Sequence, residues 1–328
     1  MFRKILKVIG IILLIIILAI AGLLIYLKKG LPDVGAAPQI TLQSSPAVIQ
    51  RGAYLANHVT VCIDCHSTRD WTKFAGPIIP GTEGKGGDKF DESMGFPGTF
   101  YARNITPFNL KDWTDGEVYR MITTGVNKNG EAMFPVMPYH YYSLMDPRDV
   151  EAIIAYIRTL PVIDNIPPAR HIDFPMNFII NTIPQKAHPT ERPLPSDTLA
   201  YGHYLVQIAG CQECHTRQVK GKVVGVPFAG GWAFNMPDGS VVTSANLTPD
   251  KETGIGNWSE AAFVSLFRKY ADSSYTPPIV KPGEMQTPMP WNMYGGMDTT
   301  DLAAIYTYLH SLSPVKNAVV LFTPSKKD

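Results

Sequence analysis

The 328-residue chain has no basic stripe, few cysteines and no sustained period-two alternation, and each shortage closes off a class of protein. Its 29 Lys and Arg against 28 Asp and Glu leave a formal charge of +1. Residues 1–45 hold five of the bases (Arg3, Lys4, Lys7, Lys28, Lys29) against Asp33 alone, so the remainder carries 24 bases and 27 acids. A nucleic-acid partner needs a cationic field to hold its phosphates, and this remainder supplies none. Without alternation longer than a few residues, strands do not build the core, and an all-α fold is expected. The four cysteines are all used by two short motifs, which leaves none over for a framework of disulfides.

Those motifs are Cys62-Ile63-Asp64-Cys65-His66 and Cys211-Gln212-Glu213-Cys214-His215. Two thiols spaced by two residues can each form a thioether with a vinyl group of one porphyrin. The histidine that follows at once lies where its imidazole meets the iron. A zinc knuckle or a thioredoxin-like redox pair shares Cys-x-x-Cys but does not require the adjacent histidine, which both copies carry. Two covalently bound haems c are expected, attached through Cys62, Cys65, Cys211 and Cys214 with His66 and His215 on the irons.

The front of the chain carries a different signal. Val8 to Leu27 is a run of 20 residues without a charge. At about 1.5 Å per residue it spans the roughly 30 Å of bilayer hydrocarbon. A removable signal peptide cut after Ala19-Ile20-Ala21 would leave Leu23, Leu24, Ile25 and Leu27 at the new terminus, so residues 1–29 read as an uncleaved transmembrane anchor. Arg3, Lys4 and Lys7 outnumber Lys28 and Lys29, placing the N-terminus in the cytoplasm and the bulk on the far side. A bacterial inner-membrane protein, single-pass and with its haem domains in the periplasm, is expected. Residues 30–46, rich in Gly, Ala, Pro and Ser, form a linker.

Past the linker the chain repeats itself. Gly52-Ala53-Tyr54-Leu55 matches Gly202-His203-Tyr204-Leu205, Phe74-Ala75-Gly76 matches Phe228-Ala229-Gly230, and Asn104-Ile105-Thr106-Pro107 matches Asn246-Leu247-Thr248-Pro249. Trp113 matches Trp258, and Met137-Pro138-Tyr139 with Met145-Asp146 matches Met289-Pro290-Trp291 with Met297-Asp298. Two tandem class I-like cytochrome c domains are expected over 47–165 and 196–315, with a proline-rich connector at 166–195 and a tail at 316–328. Asp146 as N-cap, Pro147, and Val150, Ile153, Ile154 and Ile157 at helical spacing predict a closing helix that stops before Pro161. Its twin starts at Asp298. A middle helix is predicted from Thr114, with Glu117 completing a capping box, to near Gly125. Gly52 and Gly202 are predicted to let the opening helix approach the closing helix near Tyr156 and Tyr308.

The iron's second axial position separates carrier from catalyst. A methionine thioether closes the iron and suits electron transfer, whereas an open position binds peroxide or sulfur substrates. Among Met133, Met137, Met145, Met285, Met289, Met293 and Met297, three pairs recur at an offset of 152: Met133 with Met285, Met137 with Met289 and Met145 with Met297. Met145 and Met297 precede a helix cap, where methionine fills the core. Met137 and Met289 each precede a proline that stiffens the loop, and they are the expected ligands. His140 is replaced by Asn292 in the repeat and reads as a surface or packing residue, as do His58, His171, His188, His203 and His310. The Asn-x-Thr-Pro turns and tryptophans read either as donors to haem propionates or as a turn and a core aromatic.

The repeated pentads, the Asn104 turn, Trp113 and the Met137-Pro138-Tyr139 loop together resemble the bacterial multihaem cytochrome c family, whose best-known members are the cytochrome subunits of membrane-bound alcohol and gluconate dehydrogenases. The resemblance covers nearly all of residues 47–315. It implies axial pairs His66 with Met137 and His215 with Met289. Those subunits carry three haem domains and typically a C-terminal membrane attachment, where this sequence has two pentads and an N-terminal apolar run. A non-catalytic electron conduit is expected, fed by a dehydrogenase or quinol-oxidising complex and drained by an oxidase or soluble cytochrome. The alternative is a dihaem peroxidase or thiosulfate-oxidising cytochrome.

Overall fold

A computed structural model describes residues 1–219 and 221–325. Its first element is α1 (Phe2–Lys29), the one helix among the described residues that is long and apolar enough to cross a membrane. No residue of α1 is buried by the rest of the chain.

In the first half, α2 (Pro46–Tyr54) is started by the Ser45 cap and Pro46 and runs into a π turn over Leu55–Val59. There follow α3 (Cys62–Cys65), α4 (Pro107–Leu110), α5 (Asp115–Thr124), α6 (Tyr139–Tyr142) and α7 (Pro147–Ile157). The predicted capping box is present: Glu117 N–H donates to Thr114 Oγ1 and Thr114 N–H to Glu117 Oε2, and Gly125 ends α5 in the left-handed region. Asp146 caps α7 by accepting from Arg148 N–H at 2.9 Å. After α8 (Met176–Ile179), the second half repeats the order with α9 (Thr198–Ile208), α10 (Cys211–Cys214), α11 (Glu260–Arg268), α12 (Trp291–Tyr294) and α13 (Thr299–Ser311). Asp298 precedes α13 at the cap position, but its side chain makes no capping bond.

Each half is organised by one helix crossing, α2 on α7 and α9 on α13. A Cβ at Gly52 would overlap the carbonyl of Ala152 and crowd Tyr156, and one at Gly202 would overlap the carbonyl of Ala304 and crowd Tyr308. Glycine there lets two backbones touch. Leu55, Val59, Val150, Ile153 and Ile154 fill the first crossing, Leu205, Ile208, Leu302, Ile305 and Leu309 the second, and the apolar core is continuous through both halves.

The core is helical, and the all-α expectation is corrected in the loops. Eight short strands lie among the described residues: β1 (Lys89–Phe90), β2 (Gly98–Tyr101), β3 (His171–Ile172), β4 (Gln218–Val219), β5 (Lys222–Val223), β6 (Ala233–Asn235), β7 (Val241–Thr243) and β8 (Phe322–Thr323). They form antiparallel ribbons β1-β2-β3, β4-β5 and β6-β7-β8. At two to four residues each they carry no readable period. In each half the chain downstream of the closing helix returns to add the third strand, so β3 comes from the expected connector and β8 from the expected tail. The connector also turns helical at α8, which packs against α1.

Gly202→Ala tests the crossing. The forced separation of α9 and α13 is expected to cost about 1–3 kcal/mol, measured as a lower denaturation midpoint by circular dichroism. Gly10→Ala, where a Cβ meets nothing, is expected to leave the midpoint unchanged.

Candidate functional site

Each pentad follows its opening helix directly and forms one helical turn of its own. The residue before it is left-handed in both copies, Gly210 at φ 66° and Val61 at φ 46°. For glycine that geometry is free, but a β-branched valine is strained there, and such strain concentrates at functional sites. The stretch from Gly52 to Cys62 is one residue longer than that from Gly202 to Cys211. The π turn absorbs the extra residue, with Thr60 N–H bonding Leu55 O.

The two histidines are held alike. His66 Nδ1 lies 2.6 Å from the Arg103 carbonyl and His215 Nδ1 2.8 Å from the Ala245 carbonyl. A carbonyl only accepts, so Nδ1 carries the proton in both rings and Nε2 keeps its lone pair. That is the tautomer, fixed by a backbone partner, that a metal-binding imidazole needs. Burial pushes both rings below the ordinary histidine pKa and favours the neutral form.

The carbonyls that hold them belong to the residues before the two Asn-x-Thr-Pro turns. Asn104 Oδ1 accepts from Thr106 N–H at 2.8 Å and from Thr106 Oγ1 at 2.7 Å, while its Nδ2 donates to Ile163 O and Asn165 O. Asn246 Oδ1 accepts from Thr248 in the same way, and its Nδ2 donates to Val315 O at 2.7 Å. Both side chains are engaged in the turn and in tying down the segment after the closing helix. Both amides are thereby spent within the protein, whereas Trp258 is 39% exposed and is no core aromatic.

A second backbone tie corrects the sequence match. Gly86 N–H donates to His66 O at 2.7 Å, and Gly230 N–H to His215 O at 2.8 Å. The counterpart of Phe228-Ala229-Gly230 is therefore Gly84-Lys85-Gly86, and the identical Phe74-Ala75-Gly76 lies elsewhere. Phe74 N–H bonds Pro278 O, Ala75 N–H bonds Gln286 Oε1, and the Phe74 ring stacks on Tyr270, so this segment joins the two halves.

The candidate methionines divide by burial. Met145 and Met297 are each 1% exposed, deep in the core, as expected of gap-fillers. Met137 and Met289 are half-buried at the entrances to α6 and α12. Those short helices are fastened next to the pentads: Tyr142 Oη donates to Thr60 O at 2.9 Å and Tyr294 Oη to Ala209 O at 2.8 Å. Each Met-Pro loop and its own pentad are thus brought to one region.

The donor set disfavours the rival readings. A structural zinc takes four Cys or His ligands, and each pentad supplies three. Desolvation pushes the Cys65 and Cys211 thiols up to about 12. A haem needs from these residues two thiols and one neutral imidazole with a free Nε2, and each pentad supplies that set.

The surroundings of the two pentads differ. Asp64 is buried and bonds Arg69 at 2.7 Å, and Arg69 also bonds Asp88. Its counterpart Glu213 meets His140 Nε2 at 3.2 Å across the halves. His58, in the π turn, lies 2.9 Å from Met293 O. His203 stacks on Tyr308, and His310 bonds Ile255 O. These histidines pack or pair, as expected.

A reciprocal seam joins the halves, and nothing in the sequence announced it. Tyr204 Oη donates to Asp149 at 2.8 Å and receives Asp146 N–H at 3.2 Å. Tyr54 Oη donates to Asp301 at 2.7 Å and receives Asp298 N–H at 3.1 Å. Each opening helix thereby grips the start of the other half's closing helix. Asp149 also takes a two-pronged bond from Arg51 at 3.0 and 3.1 Å and another from Arg192.

Over most of its length the chain is similar to bacterial cytochrome c proteins, in particular to cytochrome c subunits of dehydrogenases. It is 27% identical over 298 residues to the gluconate 2-dehydrogenase cytochrome c subunit of Pantoea cypripedii, covering 86% of this chain and 63% of that one. It is 28% identical over 300 residues to the alcohol dehydrogenase (quinone) cytochrome c subunit of Gluconacetobacter polyoxogenes, covering 86% and 59%. A diheme cytochrome c-type protein of Cereibacter sphaeroides is 24% identical over 265 residues, 78% of this chain and 83% of that protein. The chain spans about three fifths of the dehydrogenase subunits it matches. No protein-family profile matches it.

The carboxyl that caps α7 makes a pH prediction. Burial acts to raise the Asp146 pKa, but the Arg148 guanidinium and the N–H groups of Arg192 and Arg148 outweigh it and hold the carboxyl at about 2. A depressed carboxyl stabilises the fold above its unfolded pKa and loses that contribution as pH falls through its folded value. The stability difference between the parent and Asp146→Asn is expected to be largest at neutral pH and to shrink between about pH 4 and pH 2, followed by denaturant midpoints against pH.

Proposed function

We infer that the chain is a dihaem c-type cytochrome tethered to the bacterial inner membrane by α1, with two haem domains over 47–165 and 196–315 on the periplasmic side. It passes single electrons from a dehydrogenase or quinol-oxidising complex to an oxidase or soluble cytochrome. The observation that carries this reading is the twofold pentad, each copy with a histidine whose Nδ1–H is held by a backbone carbonyl. The similarity to cytochrome c subunits of gluconate and alcohol dehydrogenases and to a diheme cytochrome supports it.

Haem would bring an iron that alternates between ferric and ferrous states. The chain's part is to hold it. Cys62 and Cys65, and Cys211 and Cys214, would carry the thioethers, while His66 and His215 would offer Nε2 in a fixed tautomer. Met137 and Met289, on proline-stiffened loops fastened by Tyr142 and Tyr294, would each offer the iron a thioether. A histidine and a methionine would hold each iron, and the reading is of an electron-transfer component without a catalytic centre of its own. The different partners of Asp64 and Glu213 make the two centres unequal, as suits directional transfer.

The test counts haem and then opens each centre. A pyridine haemochrome assay is expected to give two covalently bound haems per chain; one haem, or haem extractable by acid acetone, overturns the reading. Met137→Ala and Met289→Ala are each expected to abolish one centre's sulfur-to-iron charge-transfer band and admit carbon monoxide. Met145→Ala and Met297→Ala are expected to cost about 2–5 kcal/mol of stability while leaving both bands. Ready carbon monoxide binding by the reduced parent protein, with partner-free turnover of peroxide or thiosulfate, would mark an enzyme instead.

A further inference from the structure

One exposed apolar segment has no part in holding haem. Residues 174–183 read Phe-Pro-Met-Asn-Phe-Ile-Ile-Asn-Thr-Ile and contain no charge. Ile180 is buried against the protein, but Phe174 is 81% exposed and Ile179 43% exposed. A lone exposed apolar side chain needs no explanation. What distinguishes this pair is where the segment is fastened.

It is fastened to the end of the apolar helix. Asn181 Nδ2 donates to Leu27 O at 3.0 Å, satisfying a carbonyl of the last turn of α1. Lys28 Nζ lies 5.5 Å from the centre of the Phe178 ring, and the Phe174 ring meets Phe178 edge-on at 6.4 Å. An unbroken line of contacts thus runs from Lys28 through Phe178 to Phe174. Lys28 is also where the uncharged run of α1 gives way to charge, which in a spanning helix marks the level of the lipid headgroups. Aromatic side chains favour that depth, and the adjacent Lys28 and Lys29 suit anionic headgroups.

We propose that residues 174–183 form a second, interfacial membrane contact, with Phe174 and Ile179 seated at the headgroup–acyl boundary of the phospholipid bilayer that α1 crosses. The proposal rests on the reading of α1 as a membrane span. One span alone touches the bilayer along a single helix. A second contact beside its end fixes how the rest of the chain faces the lipid, and with it which surface is offered to a partner in the membrane.

The test measures depth at single sites in the full-length, haem-loaded protein reconstituted into vesicles of phosphatidylethanolamine and phosphatidylglycerol. Nitroxide labels are placed by Phe174→Cys, by Ile15→Cys within α1, and by Thr190→Cys. Thr190 is an exposed residue of the same connector whose N–H bonds Leu144 O, away from α1. The unsubstituted chain, labelled in parallel, sets the background from the native cysteines. Power saturation then compares collision with lipid-soluble oxygen and with an aqueous nickel complex. The expected result is a label at 174 several-fold more accessible to oxygen relative to nickel than the label at 190, and shallower than the label at 15. A label at 174 as aqueous as that at 190, with the label at 15 deep in lipid, overturns the interfacial contact and leaves the anchor standing. An aqueous label at 15 overturns the anchor, and the interfacial contact with it.

Discussion

The contact of two backbones at a glycine is the constraint from which the rest of each half follows. Gly52 against Ala152, and Gly202 against Ala304, set the crossing of opening and closing helices. The pentad emerges from the opening helix within three turns of that point, so its place is fixed by the crossing rather than by its own four-residue helix. The closing helix is preceded by the Met-Pro loop, so the same crossing delivers both sides of the candidate centre. An isolated turn of four residues could not hold two thiols and an imidazole in register; the helix pair behind it can.

Around that frame, polar side chains are spent on shape. The Asn104 and Asn246 amides are fully engaged within the protein, and what they deliver to the site is a backbone carbonyl, aimed at a histidine ring, from the residue before them. Tyr142 and Tyr294 use their hydroxyls to fasten one loop to another. Their rings remain in the core between the halves. The chemistry of the site is accordingly concentrated in very few atoms, namely four sulfurs and two imidazole nitrogens, with two thioethers as the proposed complement.

Much of this was legible in residue order because it depends on local rules. The capping box at Thr114, the Asp146 cap with Pro147, the left-handed Gly125 and the close approach at Gly52 each follow from residue type and spacing. The burial of Met145 and Met297 followed from their place before a cap. The ribbons were not legible, since strands of two to four residues show no period and their partners are distant. The match of Phe74-Ala75-Gly76 to Phe228-Ala229-Gly230 failed for a related reason. Three identical residues outweighed the glycine that actually carries the tie to His66 O, and only hydrogen bonding identifies Gly86 as the counterpart. The extra residue before Cys62 was visible as a change of spacing, but its accommodation as a π turn is a property of packing.

The crossed tyrosine–aspartate bonds have a meaning of a different kind. Tyr54 reaches the second closing helix as Tyr204 reaches the first, which is the relation between subunits in an isologous dimer, here written into one polypeptide. In a true homodimer every substitution appears on both sides at once, and the two centres stay identical. Joining the copies in one chain removes that obligation while keeping the shared contacts. Arg51 where the repeat has Tyr201, His140 where it has Asn292 and the extra residue of the π turn are differences that only a fused pair can accumulate. The seam thus preserves twofold geometry while the two sides are free to diverge.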